Sequence, residues 1–146
     1  MFRDATRADI PLILAMLMDD ELGAAREDSS NVVAYESAFD AIARDPNNRL
    51  LIWEDNGMAV GTLQLTFIPG LSQQGAWHMQ VEAVRVHRTH RGQGIGERMM
   101  EAALKIARAR HCRIVQLSSH HSRIDAQRFY RRLGFEPSHQ GMKLKL

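Results

Sequence analysis

Disulfides, long apolar spans and aromatic clusters are all missing from this chain. Its 146 residues include one cysteine, four prolines, two tryptophans and two tyrosines. A lone Cys112 excludes an internal disulfide, fits a reducing compartment and cannot supply a structural zinc set. The longest apolar run, IPLILAMLM at residues 10–18, falls well short of the ~20 residues that cross a bilayer. The opening MFRDATRADI has no apolar core of a signal peptide. These absences predict a cytoplasmic protein with no membrane contact. No repeat, low-complexity tract or linker interrupts the sequence, so residues 1–146 are expected to form one domain with a sizeable core.

Charge of each sign is scarce in one half of the chain. Before residue 85 there are 5 Lys/Arg and 13 Asp/Glu, a net −8; from residue 85 onward there are 14 and 4, a net +10. This polarity suggests an anionic partner for the second half and a cationic one for the first. Nucleic acid is one candidate anion. The few aromatic residues are not interleaved with basic ones, however, and no nucleic-acid-binding signature is present, so no nucleic acid is expected.

Hydrophobic periodicity sets out the elements. FRDAT reads as a first strand, and Asp9 followed by Pro11 signals a helix running to about residue 20. ELGAAREDSSN reads as a loop, and a second helix is predicted over residues 32–44. RLLIWE and MAVGTLQLTFI read as strands joined at the turn DNG; PGLSQQG is a loop and AWHMQVEAVRV a third strand. Residues 94–110 are strongly helical, with Ile95, Met99, Ala102, Ala103 and Ile106 on one face. RIVQLSS reads as a strand, residues 126–133 as a helix stopped by Gly134, and MKLKL as a closing strand. The strands flanking helix 94–110 should form a right-handed parallel unit. The fold class is α/β (α+β), a mixed sheet with helices on both faces.

Glycines 92, 94 and 96 fall where the third strand passes into this helix. Glycine is costly there unless the backbone must turn sharply or be approached closely. A glycine turn feeding a helix N-terminus is an anion site, because unpaired N–H groups and the helix dipole both favour negative charge. The spacing is not the dinucleotide pattern G-x-G-x-x-G, and Gln116 stands where its ribose-binding acid would be. Nor is it the P-loop, since Gly96 is followed by Glu97 and Arg98.

RGQGIG does match R-x-x-G-x-G/A at Arg91, Gly94 and Gly96, between a VxV strand end and an amphipathic helix. Further on, AQRFYRRLGF matches A-x-x-h-Y-x-x-x-G-F (h, hydrophobic) at Ala126, Tyr130, Gly134 and Phe135. On these motifs and the element order, the sequence resembles the GNAT superfamily of acetyl-CoA-dependent N-acetyltransferases over nearly its whole length. The resemblance implies a mainly antiparallel sheet of six to seven strands, its central parallel pair splayed at a bulge beside residues 84–86. It implies acetyl-CoA as co-substrate and no metal, although His87 and His90 are closely spaced and His120 and His121 are adjacent. The N–H groups of Arg91, Gly92, Gln93, Gly94, Ile95 and Gly96 would wrap the diphosphate. The pantetheine arm would bond to Val84 and Val86 like an added strand. Arg88, Arg91, Arg98 and Arg123 would contribute positive charge, Arg123 standing where the family often has an Asn. His111 stands where many relatives end the long helix with Gly, which puts an unusual residue at a left-handed position. Dimers are common among similar proteins, so a homodimer is implied as well.

Acetyl transfer to an amine needs a base, because an alkyl ammonium titrates near ~10.4; the leaving thiolate is helped by an acid, and the developing oxyanion by an N–H donor. His78, Gln80 and Glu82 alternate along the third strand and so share a face. Glu82 is the candidate general base, expected to be partly buried, where a carboxylate is the better base. The alternative is a structural carboxylate paired with an arginine. His78 is a second candidate base, or a pocket-lining residue. Tyr130 matches the family tyrosine that protonates the leaving thiolate, its alternative being a core aromatic beside Phe129. In the family the first two helices and their connection wall the acceptor pocket. Here residues 19–30 hold five acids against Arg26 alone. Asp20, Glu21, His78 and Gln80 are therefore expected to line a pocket for a small-molecule amine, polyamine-like or aminoalkyl rather than a peptide terminus. The expected function is N-acetyl transfer to a primary amine by direct attack in a ternary complex. The alternative is a non-catalytic acyl-CoA-binding sensor.

Overall fold

The structure, a computed structural model, describes residues 1–146. Residues 1–116 and 117–146 pack as two compact units. The first runs β1 (Phe2–Asp4), a 3-10 turn (Arg7–Asp9), α1 (Ile10–Leu17), α2 (Glu21–Arg26), α3 (Val32–Arg44), β2 (Asn48–Asp55) and β3 (Met58–Ile68). It continues through a single turn α4 (Ser72–Gly75), β4 (His78–Val86), a second 3-10 turn (Arg88–His90), α5 (Ile95–Ala109) and β5 (Ile114–Leu117). The second unit is built on α6 (Ile124–Arg132). No helix is long and apolar enough to cross a membrane.

The sheet has five strands in the order β1-β2-β3-β4-β5, and β1 to β4 pair antiparallel. Asn56 and Gly57, with φ +49° and +77°, form the two-residue hairpin turn expected from DNG. The Arg113 N–H donates to the Trp77 carbonyl at 2.9 Å, tying the start of β5 to the start of β4. With one helix as the connection, the two strands leave side by side in the same direction. The expected six to seven strands are not formed, because MKLKL is not a strand: Met142, Leu144 and Leu146 are exposed and residues 142–146 have no ladder partner. Alternating apolar residues favour a strand only when another strand is there to pair with.

One face of the sheet is the core. Leu51, Leu63, Leu65, Phe67, Met79 and Val81 lie on it, and none exceeds 2% exposure. Helix α5 covers this face with Ile95, Met99, Met100, Ala103 and Ala107 buried. Its stripe is turned from the expected one, since Ala102 and Ile106 are only half-buried. The helix seats on β3 at Gly61, where a Cβ would come within 2.6 Å of Met99 Sδ. At the far end of α5, His111 adopts φ +56°, and the Cys112 N–H reaches the Ala107 carbonyl at 2.9 Å. The left-handed stop usually made by glycine is thus made here by histidine.

Helices α1 and α3 pack on the other face, α1 against β4 and α3 against β2. Asp9 does not cap α1 with its side chain. It accepts instead from the Thr6 N–H and hydroxyl (2.7 and 2.9 Å) and from both Nη atoms of Arg3 (2.8 Å each). The Arg3 guanidinium, then burial opposing it, sets the Asp9 carboxyl at about 2. A depressed folded-state value means that this contribution is complete above pH ~4 and fades as the pH falls toward 2. Asp9→Asn should cost about 2 kcal/mol at pH 7. In urea titrations the gap between wild type and variant should close on acidification through that window, and a pH-independent gap would refute the linkage.

The expected loop over residues 21–31 is helical in its first part. Asp20 Oδ1 accepts from the Gly23 N–H at 2.6 Å and so caps α2. Gly23 is buried against the end of α1, where a Cβ would lie 1.7 Å from the Leu17 carbonyl oxygen. A glycine that reads as loop punctuation is here a contact requirement between two helices.

In the second unit the predicted stop of α6 is present: Gly134 has φ +91°, and the Phe135 N–H reaches the Tyr130 carbonyl at 3.1 Å. The Tyr130 ring lies between Phe129 and Phe135, with centroids 5.1 and 5.9 Å away.

Candidate active site

Strand β4 changes register at its middle. Gln64 of β3 faces Glu82, but Thr62 faces Arg85, so one residue of β3, Leu63, opposes two of β4, Ala83 and Val84. The extra residue is taken up at Ala83, whose φ is +52°, unusual for a residue with a Cβ. The four-residue β5 starts beside Trp77 and runs out before this point. The sequence-based expectation of a bulge beside residues 84–86 is met. Backbone groups of β4 that a regular ladder would use are turned out of the sheet here.

The bulge also decides which side chains meet. Gln64 and Thr62 lie two residues apart on an unbroken stretch of β3 and share a face, so their partners Glu82 and Arg85 share it too. His78, Gln80, Glu82 and Arg85 therefore form one polar row, on the face opposite the one that α5 covers. Beside it, Gln64 Nε2 and Thr66 Oγ1 both donate to Asn48 Oδ1, at 3.1 and 2.8 Å. His78 Nε2 is buried with no hydrogen-bond partner. Glu82 is not partly buried as expected but exposed, together with Ala83, where the bulge interrupts the ladder.

The acidic connection reaches this row through consecutive residues. Asp20 Oδ2 lies 3.7 Å from Arg85 Nη2, and Asp19 Oδ2 lies 2.7 Å from Arg91 Nη2. Glu21 is exposed in the first turn of α2. Glu27 accepts from the Tyr35 hydroxyl at 2.7 Å, and the Ser30 hydroxyl and N–H hold the Asp28 carboxyl below its usual range, so the wall stays negative. Asp19 and Arg85 were not among the residues singled out from the sequence. Arg85 could not be, because regular alternation sets residue 85 on the face opposite residue 82.

After β4, the Arg91 side chain folds back, its Nε donating to the Val86 carbonyl at 3.0 Å. Arg91 thus clamps the strand end to the turn, and Arg98 likewise pairs with Asp55 at 3.3 Å. Gly92 and Gly94 are left-handed, with φ +75° and +72°. A Cβ on either would meet no atom within 4 Å, so the turn opens outward. Gly94 is the N-cap of α5 and gives no side-chain cap to the helix; Gln93 is exposed, Ile95 buried and Gly96 half-buried in the first turn. Uncapped N–H groups at a helix start, approached across glycine, suit a diphosphate. The His87 and His90 rings each bring Nδ1 to 2.8 Å from Thr89 Oγ1, bracing the segment just before the turn. In the second unit Arg123 occupies the N-cap position of α6, and Tyr130 lies in its last turns.

The family model of the acetyltransferase (GNAT) family matches residues 14–135. The chain is 30% identical over 140 residues to an aminoalkylphosphonate N-acetyltransferase of Salmonella typhimurium, a match covering 94% of this chain and 85% of that protein. Among solved structures it is similar to a transcriptional regulator from Bacillus halodurans C-125, at 41% identity and TM-score 0.94 over 100% of this chain and 99% of that one. It is also similar to an acetyltransferase from Trypanosoma brucei, at 25% identity and TM-score 0.78 over 100% and 99%. A glycine turn of this spacing beside a bulged strand thus occurs in a chain that belongs to the GNAT family of acetyltransferases.

Proposed function

We propose that the protein transfers the acetyl group of acetyl-CoA to the primary amine of a small aminoalkyl metabolite, by direct attack in a ternary complex. GNAT acetyltransferases use acetyl-CoA, and the relative named for aminoalkylphosphonates acts within this acceptor class. The observation that carries the reading is the placement of Glu82 immediately before the bulge of β4, on the face where the acidic connection arrives. When bound, the coenzyme supplies an activated acetyl thioester. The N–H groups of residues 91–96 hold its diphosphate, with Gly92 and Gly94 permitting close approach. The main chain at Val84 and Val86 bonds the pantetheine arm, and Arg123 adds a contact at the start of α6.

Asp20, Glu21, His78 and Gln80 line the acceptor side. Glu82 takes the proton of the acceptor ammonium, directly or through water, so that a neutral amine is presented. The Tyr130 hydroxyl gives a proton to the departing thiolate. The whole chain acts as one catalytic domain.

The test is thiol release from acetyl-CoA across a panel of amines, with mass spectrometry of the product. Acetylation of small aminoalkyl compounds is expected, and coenzyme binding without turnover of any amine would overturn it. That outcome would favour a second reading, an acyl-CoA-binding sensor, which the likeness to a transcriptional regulator supports.

A further inference from the structure

Arg85 is the one cation of the polar row on β4, and the acetyltransferase reading gives it no task. We propose that its guanidinium selects the acceptor by binding an acidic group, a phosphonate or carboxylate, at the far end of a short aminoalkyl chain whose amine meets Glu82. The inference rests on the acetyltransferase reading and deepens it.

Position comes first. Without the extra residue at Ala83 the strand would set Arg85 and Glu82 on opposite faces; with it they share one. The two project from points about 7 Å apart along the strand, the spacing of two residues. A short spacer between amine and acid bridges such side chains.

Burial and anchoring come next. The Arg85 side chain is only 19% exposed. A largely buried permanent charge must be compensated. Its Nη1 donates to the Val84 carbonyl at 2.9 Å, which lays the group along the strand at the bulge. Asp20 Oδ2 stands 3.7 Å away, beyond ordinary hydrogen-bond length, while Asp20 Oδ1 is committed to the Gly23 N–H at 2.6 Å. Asp20 therefore balances Arg85 through space, whereas a planar or tetrahedral acid matches a guanidinium in a bidentate fit.

Charge then distinguishes between acceptors. Asp20, Glu21 and Glu82 draw an ammonium to this face, and Arg85 repels a second one. A polyamine would place like charges together, whereas a zwitterion meets both signs.

The experiment measures kcat/KM at saturating acetyl-CoA for an aminoalkylphosphonic acid, the amino carboxylic acid of equal length, the plain alkylamine and the alkyldiamine. Wild type, Arg85→Met and Arg85→Lys are compared, with thermal unfolding of each as a check on folding. Wild type should prefer the two acids over the alkylamine by about tenfold or more. Arg85→Met should lower that ratio by about 10–100-fold, chiefly through KM, and Arg85→Lys by less, since charge remains and the planar fork is lost. An unchanged ratio, or an equal loss for every acceptor, would overturn the assignment. Should Arg85→Met fail to fold, the same ratio in Arg85→Lys decides: a severalfold fall supports it and no change refutes it. Wild type that acetylates none of these amines would overturn the acetyltransferase reading and this assignment together. Wild type that acetylates them without regard to the acid would overturn this assignment alone.

Discussion

Replacing Glu82 with glutamine is expected to lower kcat by about 10²–10³-fold while acetyl-CoA affinity stays within about twofold. The amide matches the carboxylate in size and cannot take a proton, so the loss isolates proton transfer from shape. Folding should be untouched, because Glu82 is exposed and the structure gives it no core contact. A kcat near the wild-type value would remove Glu82 as the base and return attention to His78, whose buried Nε2 faces the same row. Coenzyme affinity that fell in step with kcat would instead mean that Glu82 only supports the bulge.

Gly23→Ala should destabilise the fold by about 3 kcal/mol or more, lowering the melting temperature by on the order of 10 °C for a chain of this size. The obstacle is backbone: the new Cβ would lie 1.7 Å from the Leu17 carbonyl oxygen and 2.9 Å from its carbon. No rotamer change relieves that. Helix α2 must back away from α1 and carries with it Asp20, whose carboxyl caps it through the Gly23 N–H. Differential scanning calorimetry reads the loss directly; a melting temperature within a degree or two of wild type would show that the helices separate freely. The amine KM should rise in the same variant, because Asp20 and Glu21 move with α2.

Much of this architecture was legible in the residues. The glycines at 92 and 94 announced a sharp turn, which the structure makes left-handed, DNG a hairpin, and Gly134 a helix stop, because each reflects a local backbone demand that few other residues meet. Features set by distant contacts were not legible. Gly23 marks a meeting of two helices, which no local pattern distinguishes from a loop. MKLKL has a strand's alternation but lacks a partner in the sheet. The facing of Arg85 follows from one extra residue at Ala83, which alternation cannot anticipate.

Asp19 and Asp20 are neighbours in the chain, yet each answers a different arginine: Asp19 the one at the head of the glycine turn, Asp20 the one beside the bulge. A single peptide link therefore joins what is proposed to be the coenzyme side to what is proposed to be the amine side. Whatever shifts the junction of α1 and α2 must disturb both ion pairs at once. If each ligand tightens its own arginine, occupancy of one side changes affinity on the other by the same factor, whichever binds first.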